Sequence, residues 1–114
     1  MDKKRVGHVS PELAQIILDR ADHRCELCGN YEQQYPKTHQ IHHIVGRKVE
    51  ATPDNLIYLC WECHHGKESV EDRPNSGKDL DLKMKLQEKY SKQGKTETEI
   101  RKLMGGKIYM ESLF

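Results

Sequence analysis

The chain has little with which to build an apolar core. One phenylalanine and one tryptophan stand in 114 residues, and hydrophobic residues make up only 35% against 32% charged. A chain of this length has room for one domain and none for two independent cores. So little apolar surface calls for a staple. Long apolar runs are missing as well. Met1-Asp2-Lys3-Lys4-Arg5 passes directly into polar sequence, so neither a signal peptide nor a membrane span is expected, and the expected location is cytoplasmic. Net charge is close to absent at +1. A protein that relies on phosphate contacts alone is usually strongly basic. Positive charge must therefore be local, or come from a bound metal ion.

What the chain does have is cysteine and histidine, four of the first and seven of the second. Cys25-x-x-Cys28 and Cys60-x-x-Cys63 are two CxxC pairs separated by residues 29–59. Two intervening residues let both sulfurs of a pair reach one tetrahedral ion at ~2.3 Å. Disulfides, or unrelated buried cysteines, are the competing readings. A cytosolic chain with paired cysteines more often binds metal, and zinc is the expected ion. The gap between the pairs exceeds the simplest zinc-ribbon spacing, so a strand pair is expected between them. Metal worth ~10 kcal/mol would largely decide whether such a fold forms.

Between the knuckles, Ile41-His42-His43-Ile44-Val45 reads as a short strand, with a return strand beginning at Lys48-Val49 after a turn at Gly46-Arg47. Successive strand side chains point to opposite faces, so His42 and His43 serve different partners. Thr52-Pro53-Asp54-Asn55 reads as a helix start, with Leu56, Leu59, Cys60 and Cys63 on its inward face and Gly66 as its stop. Residues turn about 100° apart on a helix, so His64 can look away from the zinc that Cys63 binds. A second cation site apart from the cysteines is then sterically reasonable, with His65 as the other candidate for the place of His64. His8, His23 and His39 are expected to be solvated or local, and Trp61 to pack on the helix.

The flanks are helical. Ser10-Pro11-Glu12 opens a helix to about Ala21 with Leu13, Ile16, Ile17 and Arg20 along one face. Leu82, Leu86 and Tyr90 repeat at helical spacing. Thr96-x-x-Glu99 is a capping box for a last short helix carrying Ile100, Leu103 and Met104, ended by Gly105-Gly106. Lysines on these two helices could extend a nucleic-acid track, but acidic neighbours dilute them and a solvated face is the simpler reading.

The string Cys25-x-x-Cys28, Ile41-His42-His43-Ile44-Val45, and Asp54-Asn55-Leu56-Ile57-Tyr58-Leu59-Cys60-Trp61-Glu62-Cys63-His64-His65-Gly66-Lys67 resembles the HNH endonuclease family over about residues 20–68. The likeness is to its four-cysteine subgroup, found in bacteria and phages. The tail, with Leu82-Lys83-Met84-Lys85-Leu86-Gln87 and Gly106-Lys107-Ile108-Tyr109, is similar to extensions on phage-encoded members. The resemblance implies a small α+β fold: a zinc-stapled ββα-metal, treble-clef-like core with flanking helices. Residues 1–9 would be a flexible basic arm, 10–72 the nuclease core with its N-terminal helix, and 73–114 a helical extension packed on it.

The implied activity is metal-dependent hydrolysis of DNA phosphodiester bonds. His43 would be the general base, and Asn55 would orient its imidazole, although by itself Asn55 also reads as a cap residue and can be both. His42 and His64 would bind one catalytic divalent ion, Mg²⁺, Mn²⁺ or Ni²⁺. Cys25, Cys28, Cys60 and Cys63 would hold structural Zn²⁺. Many members carry Asp where this chain has His42, and imidazoles are softer donors, which favours Mn²⁺, Ni²⁺ or Co²⁺ over Mg²⁺. Arg47 and Lys48 are candidate phosphate contacts, or simply a solvated turn. With no separate recognition segment, nicking or cutting of low sequence specificity is expected, and a phage terminase or portal partner is implied by likeness alone. The alternative is a non-catalytic zinc module that binds DNA or protein. It would need the cysteines but not His43, Asn55 and His64 together.

Overall fold

A computed structural model describes residues 6–32 and 39–110 of the chain. Its elements run α1 (Pro11–Ala21), β1 (Gln40–His43), a 3-10 turn (Pro53–Asn55), β2 (Leu56–Leu59), α2 (Trp61–His65), α3 (Gly77–Lys92) and α4 (Glu97–Leu103).

Helix α1 starts where its chemistry says it should. The Ser10 side chain accepts from the Leu13 N–H at 3.1 Å, and Pro11 sits in the first turn, where a missing N–H costs nothing. Its apolar face is narrower than the spacing predicts. Ile17 is fully buried, but Ile16 is 51% exposed. Only one side of the helix packs, in a cluster of Ile17, Ala21, Leu56 and Tyr58. Arg20 has a different task from packing. Its guanidinium grips both Glu26 carboxylate oxygens at 2.7 and 2.8 Å and donates to the Pro53 and Leu56 carbonyls at 2.6 and 2.7 Å. Glu26 in turn accepts from the Tyr58 N–H at 2.9 Å, and its own N–H donates to the Tyr58 carbonyl at 2.8 Å. Helix, first knuckle and β2 are thereby locked together.

Strands β1 and β2 pair antiparallel, with His43 opposite Leu56 and His42 opposite Ile57. This corrects the sequence expectation twice. The return strand is Leu56–Leu59 rather than Lys48-Val49, and the helix expected from Thr52 closes only the single 3-10 turn Pro53–Asn55. The reason is burial on both faces. All four residues of β2 are buried, between the α1 cluster on one side and the larger core on the other. A continuous apolar run of four has no periodicity to tell strand from helix. The helix that carries the second knuckle starts only at Trp61 and is five residues long. It stops at Gly66, where a Cβ would stand 2.6 Å from the Glu62 carbonyl.

Beyond it, α3 and α4 form where the sequence predicts them. Thr96 and Glu99 make the reciprocal capping box. Leu82, Leu86, Tyr90, Ile100 and Met104 lie in the same buried cluster as Cys25, Cys60 and Cys63. The C-terminal helices therefore share the core of the knuckles. Buried Gln87 stitches residues 109–110 to α3 by donating to the Met110 carbonyl at 2.7 Å and accepting from the Tyr109 and Met110 N–H groups at 2.7 and 3.0 Å. No helix among the described residues is long and apolar enough to cross a membrane.

Candidate metal centres and catalytic cleft

The first centre is the four cysteines. A tight turn shapes the first knuckle: Gly29 takes φ +83° and donates to the Cys25 carbonyl at 2.8 Å, while Cys25 donates to the Asn30 carbonyl at 2.7 Å. The second pair straddles the start of α2, with Cys60 as its N-cap. All four sulfurs fall within 4.8 Å of one another. The Cys28 and Cys60 sulfurs are 3.6 Å apart. That is far beyond a disulfide bond and near the roughly 3.8 Å edge of a tetrahedron with metal–sulfur bonds of ~2.3 Å. None of the four is in a disulfide. Burial pushes the Cys25 thiol up, but the N–H groups of Cys28, Cys60 and Leu27 outweigh it and bring it to about 7. Burial raises Cys60 and Cys63, and a cation among them would reverse that cost. The donor set, its geometry and its burial suit one structural zinc ion.

The second centre uses the alternation of β1. His42 turns inward, with its ring centroid 5.0 Å from that of buried His64. Burial, with the adjoining His64, pushes His42 down to about 4. Burial and then His65 lower His64. Both rings are therefore neutral near pH 7, the form that binds metal. His42 Nε2 and His64 Nδ1 are buried, with no hydrogen-bond partner among the described residues. Orphaned buried nitrogens are costly unless something fills the gap between them.

Glu71 completes this cluster, and the sequence reading missed it. Its carboxylate lies 3.2 Å from His64 Nε2 and 2.7 Å from His65 Nδ1. With His64 Nε2 so engaged, its Nδ1 is the free donor atom, as in carboxylate–histidine–metal arrangements. The chain brings Glu71 there by folding back along α2, with Val70 N–H to the Cys63 carbonyl at 3.0 Å and Glu71 N–H to the His64 carbonyl at 3.4 Å. Nothing in the charged, turn-rich segment marks that residue in advance. His65, the substitute considered for His64, is exposed and lies against Trp61, which is itself 53% exposed.

His43 faces the other way. Its Nε2 lies 2.8 Å from the Gly7 carbonyl. Of the cap and orienter readings of Asn55, its side chain shows the cap. The Asn55 side chain accepts from the Thr52 N–H at 2.9 Å and donates to the Glu50 carbonyl at 2.8 Å. Its influence on the histidines is through the backbone, where its carbonyl accepts from Ile44 N–H at 2.9 Å. The buried side-chain amide thus closes the 50–55 loop, and the Asn55 carbonyl pins the end of β1. Within the arm expected to be loose, Gly7 is buried and Val9 packs on the α1 cluster, while Val6 and His8 are exposed. Of the solvated and local readings of His39 the local one holds: the ring is buried and its Nε2–H donates to the Asn30 carbonyl at 3.0 Å. His8 and His23 are exposed.

His42, His43, Arg47, His64, His65 and Glu71 line one open cleft of about 340 Å³. Lys48 falls outside it, in a neighbouring cleft shared with Lys95 and Lys102 but also with Glu50 and Glu99.

Residues 25–69 match the family model described as HNH endonuclease. Over 65 residues, 55% of this chain, the sequence is 31% identical to the Zorya protein ZorE of Escherichia coli, covering 18% of that protein. The chain thus spans under a fifth of that curated relative. No solved structure matches. The segment that carries both knuckles, both β1 histidines and His64 is the segment that matches the HNH endonuclease family.

Proposed function

We propose that this chain is a metal-dependent endonuclease that hydrolyses DNA phosphodiester bonds, by nicking or by cutting with little sequence specificity. The observation that carries the reading is the split of one strand's two histidines: His42 offers an orphaned buried nitrogen toward His64, and His43 stands beside it in the same cleft. A binding module has no use for that arrangement.

In this reading His43 takes a proton from the attacking water. A histidine suits that task because its basicity lies near working pH. His42 Nε2 and His64 Nδ1 would hold the divalent ion, with Glu71 steadying His64 or adding an oxygen. When bound, the ion offsets charge on the scissile phosphate and the leaving 3′ oxygen. Two imidazoles favour Mn²⁺ or Ni²⁺ over Mg²⁺. Asn55 keeps the 50–55 loop and the end of β1 in place. The exposed side chains of Arg47, at the cleft, and Lys48, just beyond it, contact the phosphate backbone. The cysteines carry structural zinc and take no part in the chemistry. The phage setting, with terminase or portal partners, rests on the likeness of the tail alone.

Plasmid cleavage tests this. Wild type should nick or cut in Mn²⁺ or Ni²⁺ and stop with chelator, and His43→Ala should lose about 10²-fold or more, the usual worth of a general base. Equal cutting by His43→Ala would remove the base assignment. A wild type inert with every metal would leave a zinc-binding DNA or protein module.

A further inference from the structure

We infer that the Gly7 carbonyl, in the segment before α1, is the positioning group for His43, held against that ring from the cleft adjoining the catalytic one. This deepens the nuclease reading and rests on it for its catalytic meaning.

A neutral imidazole carries one N–H. His43 Nε2 lies 2.8 Å from the carbonyl oxygen of Gly7, and a carbonyl only accepts. The proton therefore sits on Nε2, and Nδ1 keeps the lone pair. Gly7 thus selects which nitrogen is the base. When Nδ1 takes a proton from water, the ring becomes positive while Nε2–H still donates to the same oxygen. Hydrogen bonds from charged donors are the stronger kind, so the contact gains strength as the proton arrives.

The position has to be glycine. A Cβ on Gly7 would stand 2.4 Å from the Arg47 carbonyl oxygen, 2.7 Å from its Cα and 2.8 Å from its carbonyl carbon. These are backbone atoms, which cannot swing aside as a side chain can. The Arg47 backbone is itself placed by the turn that ends β1, where Gly46 adopts φ +84° and donates to the His43 carbonyl at 3.2 Å. The far end of the segment is fixed too. Val9 packs against the α1 cluster, and Ser10 caps α1. Val6 and His8 on either side are exposed. The seat is therefore made by Gly7 itself, backbone against backbone, closing a circuit from His43 through Gly46 and Arg47 back to His43. Gly7, His8 and Val9 line a second cleft that shares Ile41, His43 and Arg47 with the catalytic one, so the segment reaches His43 from the side opposite the metal ligands.

The test uses the full chain and Gly7→Ala. Long-range proton–nitrogen NMR spectra, taken where imidazoles are neutral, read the tautomer of each ring, and His43→Gln assigns the signals. Wild type should show His43 protonated on Nε2, and Gly7→Ala a mixture of tautomers. DNA cleavage by Gly7→Ala should lose about tenfold to a hundredfold in kcat, the worth of one charge-assisted hydrogen bond. Its KM, zinc content and Mn²⁺ affinity should hold, and Ile16→Ala, at an exposed position on α1, should match wild type throughout. A wild-type His43 protonated on Nδ1 overturns the inference whether or not Gly7→Ala folds, as does a Gly7→Ala with unchanged tautomer and kcat. If wild type shows the Nε2 tautomer but cuts no DNA with any metal, the nuclease reading fails while the positioning by Gly7 stands.

Discussion

Stripping the metal from the four cysteines should unfold most of this protein. Three of the four are buried to within 4% of full burial, and they share one cluster with Leu82, Leu86, Tyr90, Ile100 and Met104. The same sulfurs thus join the first knuckle, the end of β2, the start of α2 and the face on which α3 and α4 pack. A structural zinc contributes roughly 10 kcal/mol or more in small domains. A whole domain's net stability is only about 5–15 kcal/mol. Without the ion, burial works against Cys60 and Cys63 releasing their protons, and four thiols cannot hold the two pairs together. The expected result is one tightly held zinc per chain by elemental analysis. After a strong chelator removes it, the cooperative thermal transition followed by circular dichroism should disappear or fall by more than about 20 °C, and zinc should restore it. Cys28→Ser changes the most exposed of the four and should weaken zinc retention without opening a cavity. Verified zinc-free protein with an unchanged melting curve would refute the argument, because it would show that apolar packing alone carries the fold.

Two further outcomes follow from named contacts. Arg20→Met removes the four hydrogen bonds to Glu26, Pro53 and Leu56 and should cost about 1–3 kcal/mol in urea unfolding of the zinc-loaded protein. Arg20→Lys should recover little, since an ammonium cannot reproduce the two-pronged grip, and a loss under about 0.5 kcal/mol would mean the clamp is ornamental. His42, pushed by burial and by His64 to about 4 in the folded chain, takes up its proton near 6.5 when unfolded. Its contribution to stability is whole above that value and is lost as pH falls from about 6.5 toward 4. His42→Gln should therefore flatten the pH dependence of unfolding in that window by up to about one proton, with zinc content matched, and parallel curves for the two proteins would count against the burial of His42.

Much of the site could be read from spacing. Four cysteines in two CxxC pairs announce one tetrahedral centre wherever the chain goes between them, because the reach of each pair is local. The opposite facing of His42 and His43 follows from strand alternation, and the caps at Ser10 and Thr96 follow from side-chain oxygens three residues before a free N–H. Other features resisted. Leu56–Leu59 read as helix because a strand buried on both faces loses its alternation. Asn55 read as cap, orienter or both, and its amide serves the backbone of residues 50 and 52. Glu71 stands in a stretch of charges that looks solvated until Val70 and Glu71 hydrogen-bond back along α2. Gly7 acts through a carbonyl that every residue has, so no side chain could have flagged it.

By itself, the sequence determined the inventory: a staple in place of a large core, a four-cysteine set suited to zinc, and a group of histidines apart from it. These depend on residue type and on distances of a few positions along the chain, where local geometry leaves few choices. Tertiary structure alone decided which groups complete the cleft. Glu71 reaches His64 and Gly7 reaches His43 across 7 and 36 positions, and such contacts are fixed by where the backbone turns and packs, which local spacing does not encode.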